Sequence, residues 1–198
     1  MLQDPVCRRR LLGLAGLGLA GSSAAVLAAC GGGDSGVGGG GGLGKTTELE
    51  PEGTAASRDV LVLNSALDLE NMAVAAYRAA LPLLTGAALN AGKTFLEHER
   101  EHADALTEAI RQLGGAPNKP SRGYDFPRLA GQRAALTFAA DVEGTAIAAY
   151  IDALPRLTSP DLRGTAAAIV TDEAEHLAVL SGALGRPQAP RAFVTGKA

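Results

Sequence analysis

The sequence predicts an all-α domain of four helices, built as two antiparallel hairpins joined by a long crossover. Three observations lead there. Apolar residues recur at steps of three and four in four separate stretches, the period of a helix with one buried face. A constellation of acidic and histidine residues occurs twice, 73–74 residues apart, so the chain reads as a duplicated hairpin. The links between the stretches alternate short, long, short.

The first helix is expected over 58–81. Its buried row is Leu63, Ala66, Leu67, Val74, Tyr77 and Leu81, and Pro82 ends it because a ring without an N–H cannot continue the helix. The second, 87–113, carries Phe95, Leu106, Ile110 and Leu113 and stops at Gly114-Gly115. The third, 128–154, carries Leu136, Ala140, Ile147, Tyr150 and Leu154, and Pro155 repeats the stop of Pro82. The fourth, 160–184, opens on Ser159-Pro160-Asp161, which supplies a cap, a first-turn proline and an early acid. It carries Ile169, Leu180 and Leu184 and stops at Gly185, leaving 185–198 as a tail. Short links after helices one and three make antiparallel hairpins. The link 114–127 holds Pro117, Pro120 and Pro127. Fourteen residues reach about 46 Å, whereas a 25-residue helix is about 37 Å long. The link can therefore run from one end of the bundle to the other, the long crossover of a ferritin-like topology.

The chemistry lies in the duplicated constellation. The first copy is Asp68-Leu69-Glu70, Tyr77 seven residues on, then Glu99-Arg100-Glu101-His102; the second is Asp141-Val142-Glu143, Tyr150 seven residues on, then Glu173-Ala174-Glu175-His176. Residues three apart share a helix face. Glu99 with His102, and Glu173 with His176, each offer an oxygen and a nitrogen donor in one direction, and Glu70 and Glu143 add carboxylates from the other two helices. All six sit on apolar stripes, where a charged residue is uncommon. Four converging carboxylates would balance two divalent cations and could not all stay ionised cheaply without them. The expected cofactor is a pair of transition-metal ions, iron or manganese first and zinc as an alternative. Tyr77 and Tyr150 are read as core residues with hydrogen-bonded hydroxyls, with support of the ligands or redox as the other role. Glu101 and Glu175 are read as solvated neighbours or supports, and His98 and Glu97 as solvated.

The front of the chain is a leader. Arg8, Arg9 and Arg10 precede an uncharged apolar run over 11–29, which ends in Leu27-Ala28-Ala29-Cys30. This is the order of a signal peptide. The last four residues resemble the bacterial lipobox, which implies cleavage before Cys30 and lipidation of Cys30. Arg8-Arg9-Arg10-Leu11-Leu12 also resembles a twin-arginine export signal, although Cys7 and Gly13 depart from its usual flanks. Ten of the residues 31–44 are glycine and polar residues follow to 57, so 30–57 is expected to be a flexible tether with a reach of about 30 Å. Cleavage would remove three arginines and one aspartate, leaving 15 basic and 20 acidic residues and a formal charge of −5. That balance argues against nucleic acid or an anionic membrane surface as an electrostatic partner. Cys7 and Cys30 are the only cysteines, so no disulfide or thiolate ligand is available to the domain 58–184.

From Glu70 to Tyr77, through Glu99-Arg100-Glu101-His102 and Tyr124-Asp125-Phe126, to Glu143–Tyr150 and Glu173-Ala174-Glu175-His176, the domain resembles the bacterial ferritin-like domain family. That family includes desiccation-related proteins within the ferritin, bacterioferritin and rubrerythrin superfamily. The resemblance implies Glu99 and Glu173 as bridging carboxylates, Glu70 and Glu143 as terminal ones, and one imidazole per metal from His102 and His176. The separations from Glu70 to Glu99 and from Glu143 to Glu173 are about a turn shorter than expected for cage ferritins. With a lipid anchor, this speaks against a closed storage shell; a homodimer remains allowed. Two functions follow as expectations. One is a di-metal oxidase or peroxidase-type oxidoreductase acting on Fe(II), oxygen or peroxide, lipid-anchored in the cell envelope at the outer side of the cytoplasmic membrane or at the outer membrane. The other is a non-catalytic module in metal sequestration or envelope stress, where metal staples the fold.

Overall fold

The computed structural model describes residues 53–196. The expected leader, Cys30 and the tether up to residue 52 lie outside the described residues. Within them the chain forms four helices and no strand: α1 (Ala55–Ala80), α2 (Gly86–Gln112), α3 (Gln132–Ala153) and α4 (Pro160–Ala183). α1 pairs with α2, α3 with α4, and the two hairpins meet mainly through α1 and α3. The expected all-α, ferritin-like four-helix bundle is the observed architecture.

The prolines act at matching places. α1 and α3 each end in a 3₁₀ turn, Leu81–Leu83 and Leu154–Arg156, that takes in Pro82 or Pro155; the tighter turn accommodates a residue that cannot donate to the α ladder. α2 and α4 end on glycines. Gly114 and Gly185 have φ of +76° and +74°. After them the N–H of Gly115 reaches the carbonyl of Ile110 (2.9 Å) and that of Arg186 reaches Ser181 (2.8 Å), the double closure that a left-handed residue permits.

Two helix starts differ from expectation. α1 begins three residues early because the Thr54 hydroxyl accepts the Ser57 N–H at 3.1 Å and caps the first turn. α3 begins four residues late. Its N-cap, Gly131, has φ +86°, a conformation that cannot lie inside a right-handed helix, so 128–131 extend the crossover. That crossover is pinned to α1: Asn64 donates to the Ala116 carbonyl and accepts from the Asn118 N–H, while the Asn118 amide donates to Asp68. Tyr124 and Phe126 stack, and Phe126 meets Phe138 of α3 edge-on. The C-terminal segment also packs back. Gly196 lies so close to α3 that a Cβ there would stand 2.0 Å from the Gly144 carbonyl oxygen.

Two apolar layers fill the bundle. One joins Leu63, Leu67, Leu106, Ile110, Tyr150 and Ile169; the other joins Tyr77, Phe95, Leu96, Leu136, Leu180 and Leu184. The first takes the start of α1 and the end of α2, the second the reverse, as antiparallel hairpins require. The acidic cluster lies between them.

Candidate metal centre

Each helix delivers its ligand candidates from its buried stripe: Glu70 from α1, Glu99 and His102 from α2, Glu143 from α3, Glu173 and His176 from α4. The four carboxylates are at most 1% exposed. Donor atoms of Glu70, Glu99, His102 and Glu173 all lie within 4.8 Å of one another, and so do those of Glu99, Glu143, Glu173 and His176. Glu99 and Glu173 thus belong to both groups, while each group has one further glutamate and one histidine of its own. The Nδ1 atoms point inward. His102 Nδ1 is 3.1 Å from Glu173 and 3.6 Å from Glu70; His176 Nδ1 is 3.3 Å from Glu99 and 3.5 Å from Glu143.

The chemistry of this donor set fits a pair of metal ions. Seven buried side-chain atoms in the cluster have no hydrogen-bond partner: Glu70 Oε2, Glu99 Oε1, His102 Nδ1, Glu143 Oε2, both Glu173 oxygens and His176 Nδ1. A buried polar atom without a partner is costly, and here every such atom is a hard or borderline ligand facing the same space.

The two tyrosines cross between hairpins. Tyr77 of α1 donates to Glu143 Oε1 of α3, and Tyr150 of α3 donates to Glu70 Oε1 of α1. Their hydroxyls are therefore anchored on the carboxylates that belong to one group only. Glu101 and Glu175 are exposed and do not support the ligands. Each lies two residues past a cluster glutamate, about 200° round the helix, and so faces solvent.

Two residues do more than the sequence suggested. Asp172 Oδ2 lies 3.2 Å from the Nε2 of both His102 and His176, so one carboxylate oxygen holds the outer edge of both imidazoles and turns their Nδ1 atoms inward. His98, read as solvated, brings Nδ1 to 3.1 Å from the same oxygen and 3.0 Å from His176 Nε2. The signals were the Asp172–His176 and His98–His102 spacings of four residues. Phe95 stacks on His176, with ring centroids 4.0 Å apart.

Electrostatics follow from burial and crowding. Without metal, burial pushes the Glu70 carboxyl up to about 8 and raises Glu143 well above the carboxylate range. Burial alone would lower the imidazoles. The close carboxylates of the surrounding glutamates outweigh it by favouring the protonated rings, with Glu173 foremost for His102 and Glu143 for His176, and raise them to about 12 and about 11. Glu173 is held well below the usual carboxylate range, its burial overcome by both imidazoles. Burial next to glutamates keeps both tyrosine hydroxyls protonated.

Known proteins give the arrangement its context. The fold is similar to that of a conserved hypothetical protein from Mycobacterium tuberculosis (TM-score 0.62, 19% identity, covering 65% of this chain and 98% of that one). It is also similar to ferritin-like, diiron-carboxylate proteins from Bacillus anthracis (TM-score 0.56, 20% identity, 67% and 99% covered). No curated protein matches the sequence. The family model for the ferritin-like domain matches residues 58–186, spanning all four helices and every residue of the cluster, and the chain belongs to that family.

Proposed function

We propose that this protein binds two transition-metal ions, iron or manganese, and reacts with Fe(II), dioxygen or peroxide at the outer side of a membrane. The observation that carries the reading is the set of seven unpartnered buried donor atoms, split into two groups that share Glu99 and Glu173. When bound, such an ion pair would supply redox chemistry, passing electrons from Fe(II) to dioxygen or peroxide. The chain's own part is positional. Glu99 and Glu173, which belong to both donor groups, would hold both ions. Glu70 with His102, and Glu143 with His176, would each complete the donor set of one ion. Tyr150 and Tyr77 fix the terminal carboxylates, Asp172 fixes the imidazoles, and the apolar layers above and below keep bulk water out. The Bacillus anthracis neighbours, described as diiron-carboxylate proteins, support the choice of metal.

The test loads metal-free protein with Fe(II) under anaerobic conditions and mixes it with oxygen or hydrogen peroxide in a stopped flow. Elemental analysis should find about two ions per chain, and oxidation should outpace that of free Fe(II). His102→Ala with His176→Ala should abolish tight binding. Protein that stays metal-free in excess Fe(II), Mn(II) and Zn(II) would end the metal reading. A loaded site no faster than free Fe(II) would leave only the sequestering or structural module. The anchoring half of the proposal rests on the lipobox at Cys30: wild-type protein should sediment with membranes, and Cys30→Ser should release it or leave it unprocessed. Exported wild-type protein that keeps residues 1–29 would reject that half.

A further inference from the structure

A third set of donors stands outside the buried cluster. His98 Nδ1, Asp172 Oδ2 and His176 Nε2 are separated by 3.0, 3.1 and 3.2 Å. An ion about 2.1 Å from each nitrogen or oxygen donor would space neighbouring donors by about 3.0 Å in an octahedron and about 3.4 Å in a tetrahedron. The triangle has the dimensions of one coordination face. Its members also differ from the inner donors in access. The His98 and Asp172 side chains are 37% and 28% exposed, against 1% for His176 and at most 1% for the four glutamates.

The duplication adds an independent argument. Glu99 and Glu173 are 74 residues apart, and so are His98 and Asp172. The residue before each shared glutamate is thus the repeat-related position, and in this chain one copy carries a nitrogen donor and the other an oxygen donor. The bundle brings the two together on its surface, directly over His176.

We propose that His98, Asp172 and the Nε2 of His176 form an outer metal site that captures a divalent transition-metal ion from solvent and passes it to the buried pair of sites. The idea rests on the dimetal reading. A hydrated ion must exchange its waters for protein donors, and these half-exposed groups are where the exchange begins. The His176 ring belongs to both sets, with Nδ1 facing the inner carboxylates and Nε2 facing Asp172 and His98. An arriving ion displaces the proton on Nε2 and leaves the hydrogen on Nδ1, since a neutral imidazole has one lone pair and one N–H. Once Nδ1 serves an inner ion, Nε2 carries the hydrogen and donates to Asp172, so the outer site loses a donor. It therefore holds metal weakly when the centre is full, as a transit position should.

The test uses metal-free protein of the full mature chain with Co(II) alone as the probe, read by stopped-flow absorbance. A chelator competition gives the final affinity. His98→Ala and His98→Gln should slow loading by about tenfold and slow release to chelator in proportion, since entry and exit share the route, yet reach the same final stoichiometry and affinity. Circular dichroism of the metal-free variants checks that the bundle is intact. Loading at the wild-type rate in both variants overturns the proposal. So does a lower final affinity that arises only from faster release, since His98 would then merely brace the His176 ring. Wild-type protein that takes up no Co(II) would instead remove the dimetal reading beneath it.

Discussion

Tyr77 and Tyr150 are placed as mirror partners. Each hydroxyl donates to the glutamate of the other hairpin and fixes which carboxylate oxygen faces the centre. Tyr77→Phe or Tyr150→Phe would leave a buried carboxylate oxygen without its donor, a loss of about 1–3 kcal/mol. It should also weaken metal binding by about 10–100-fold. Metal titration and thermal unfolding measure both, and a phenylalanine variant that binds metal like wild type would show that the rings only pack. The tyrosine spacing of seven residues, two helical turns, was legible in the sequence because it places ring and glutamate on one face. The partner was not, since Tyr77 pairs with Glu143 rather than Glu70. Asp172 and His98 escaped for a related reason. Each precedes a buried glutamate by one residue, 100° off the stripe, where a polar residue reads as solvated until the neighbouring helix is in place.

At the scale of elements, Asp59 decides how the hairpins are fastened. It lies in the first turns of α1, is 2% exposed, and accepts from both the N–H and the hydroxyl of Thr158, each at 2.7 Å. The turn between α3 and α4 is thereby tied to α1 of the other hairpin. Asp59→Ala removes two bonds to a charged acceptor and should cost about 2–3 kcal/mol. It should lower the unfolding temperature of the metal-free protein without changing how many ions the chain takes up; an unchanged melting temperature would show the tie to be dispensable. This contact was invisible in the sequence because 99 residues separate the partners. The helices themselves were legible. Their apolar rows, prolines and terminal glycines are local signals, and each agrees with the packing. The late start of α3 was missed because the positive φ of Gly131 is a property of the folded crossover, not of its composition.

For the whole molecule, the protons held by the metal-free cluster set how stability depends on pH. Glu70 and Glu143 have folded values above the ordinary 4.5, Glu70 at about 8. His102 and His176 stand at about 12 and about 11 against an ordinary 6.5. In each case the folded chain keeps a proton that the unfolded chain releases, so stability falls as pH rises. The Glu70 contribution declines from pH 4.5 towards about 8, that of Glu143 also declines above 4.5, and the histidine contributions decline from 6.5 towards about 11 and about 12. Glu173 works the other way, because its depressed value costs stability only as pH drops below 4.5. The metal-free protein should therefore be most stable near pH 5 and soften steadily towards pH 9. Metal reverses the slope. Ligation needs ionised carboxylates and neutral imidazoles, so binding releases these protons and tightens as pH rises. The stabilisation it adds grows with it. Thermal unfolding of metal-free and Mn(II)-loaded protein from pH 5 to 9 should show melting temperatures that diverge with pH, and an indicator dye should register proton release on loading. A gap between the two curves that stays constant across this range would mean that the ions do not displace protons from Glu70, Glu143, His102 and His176, and so are bound elsewhere.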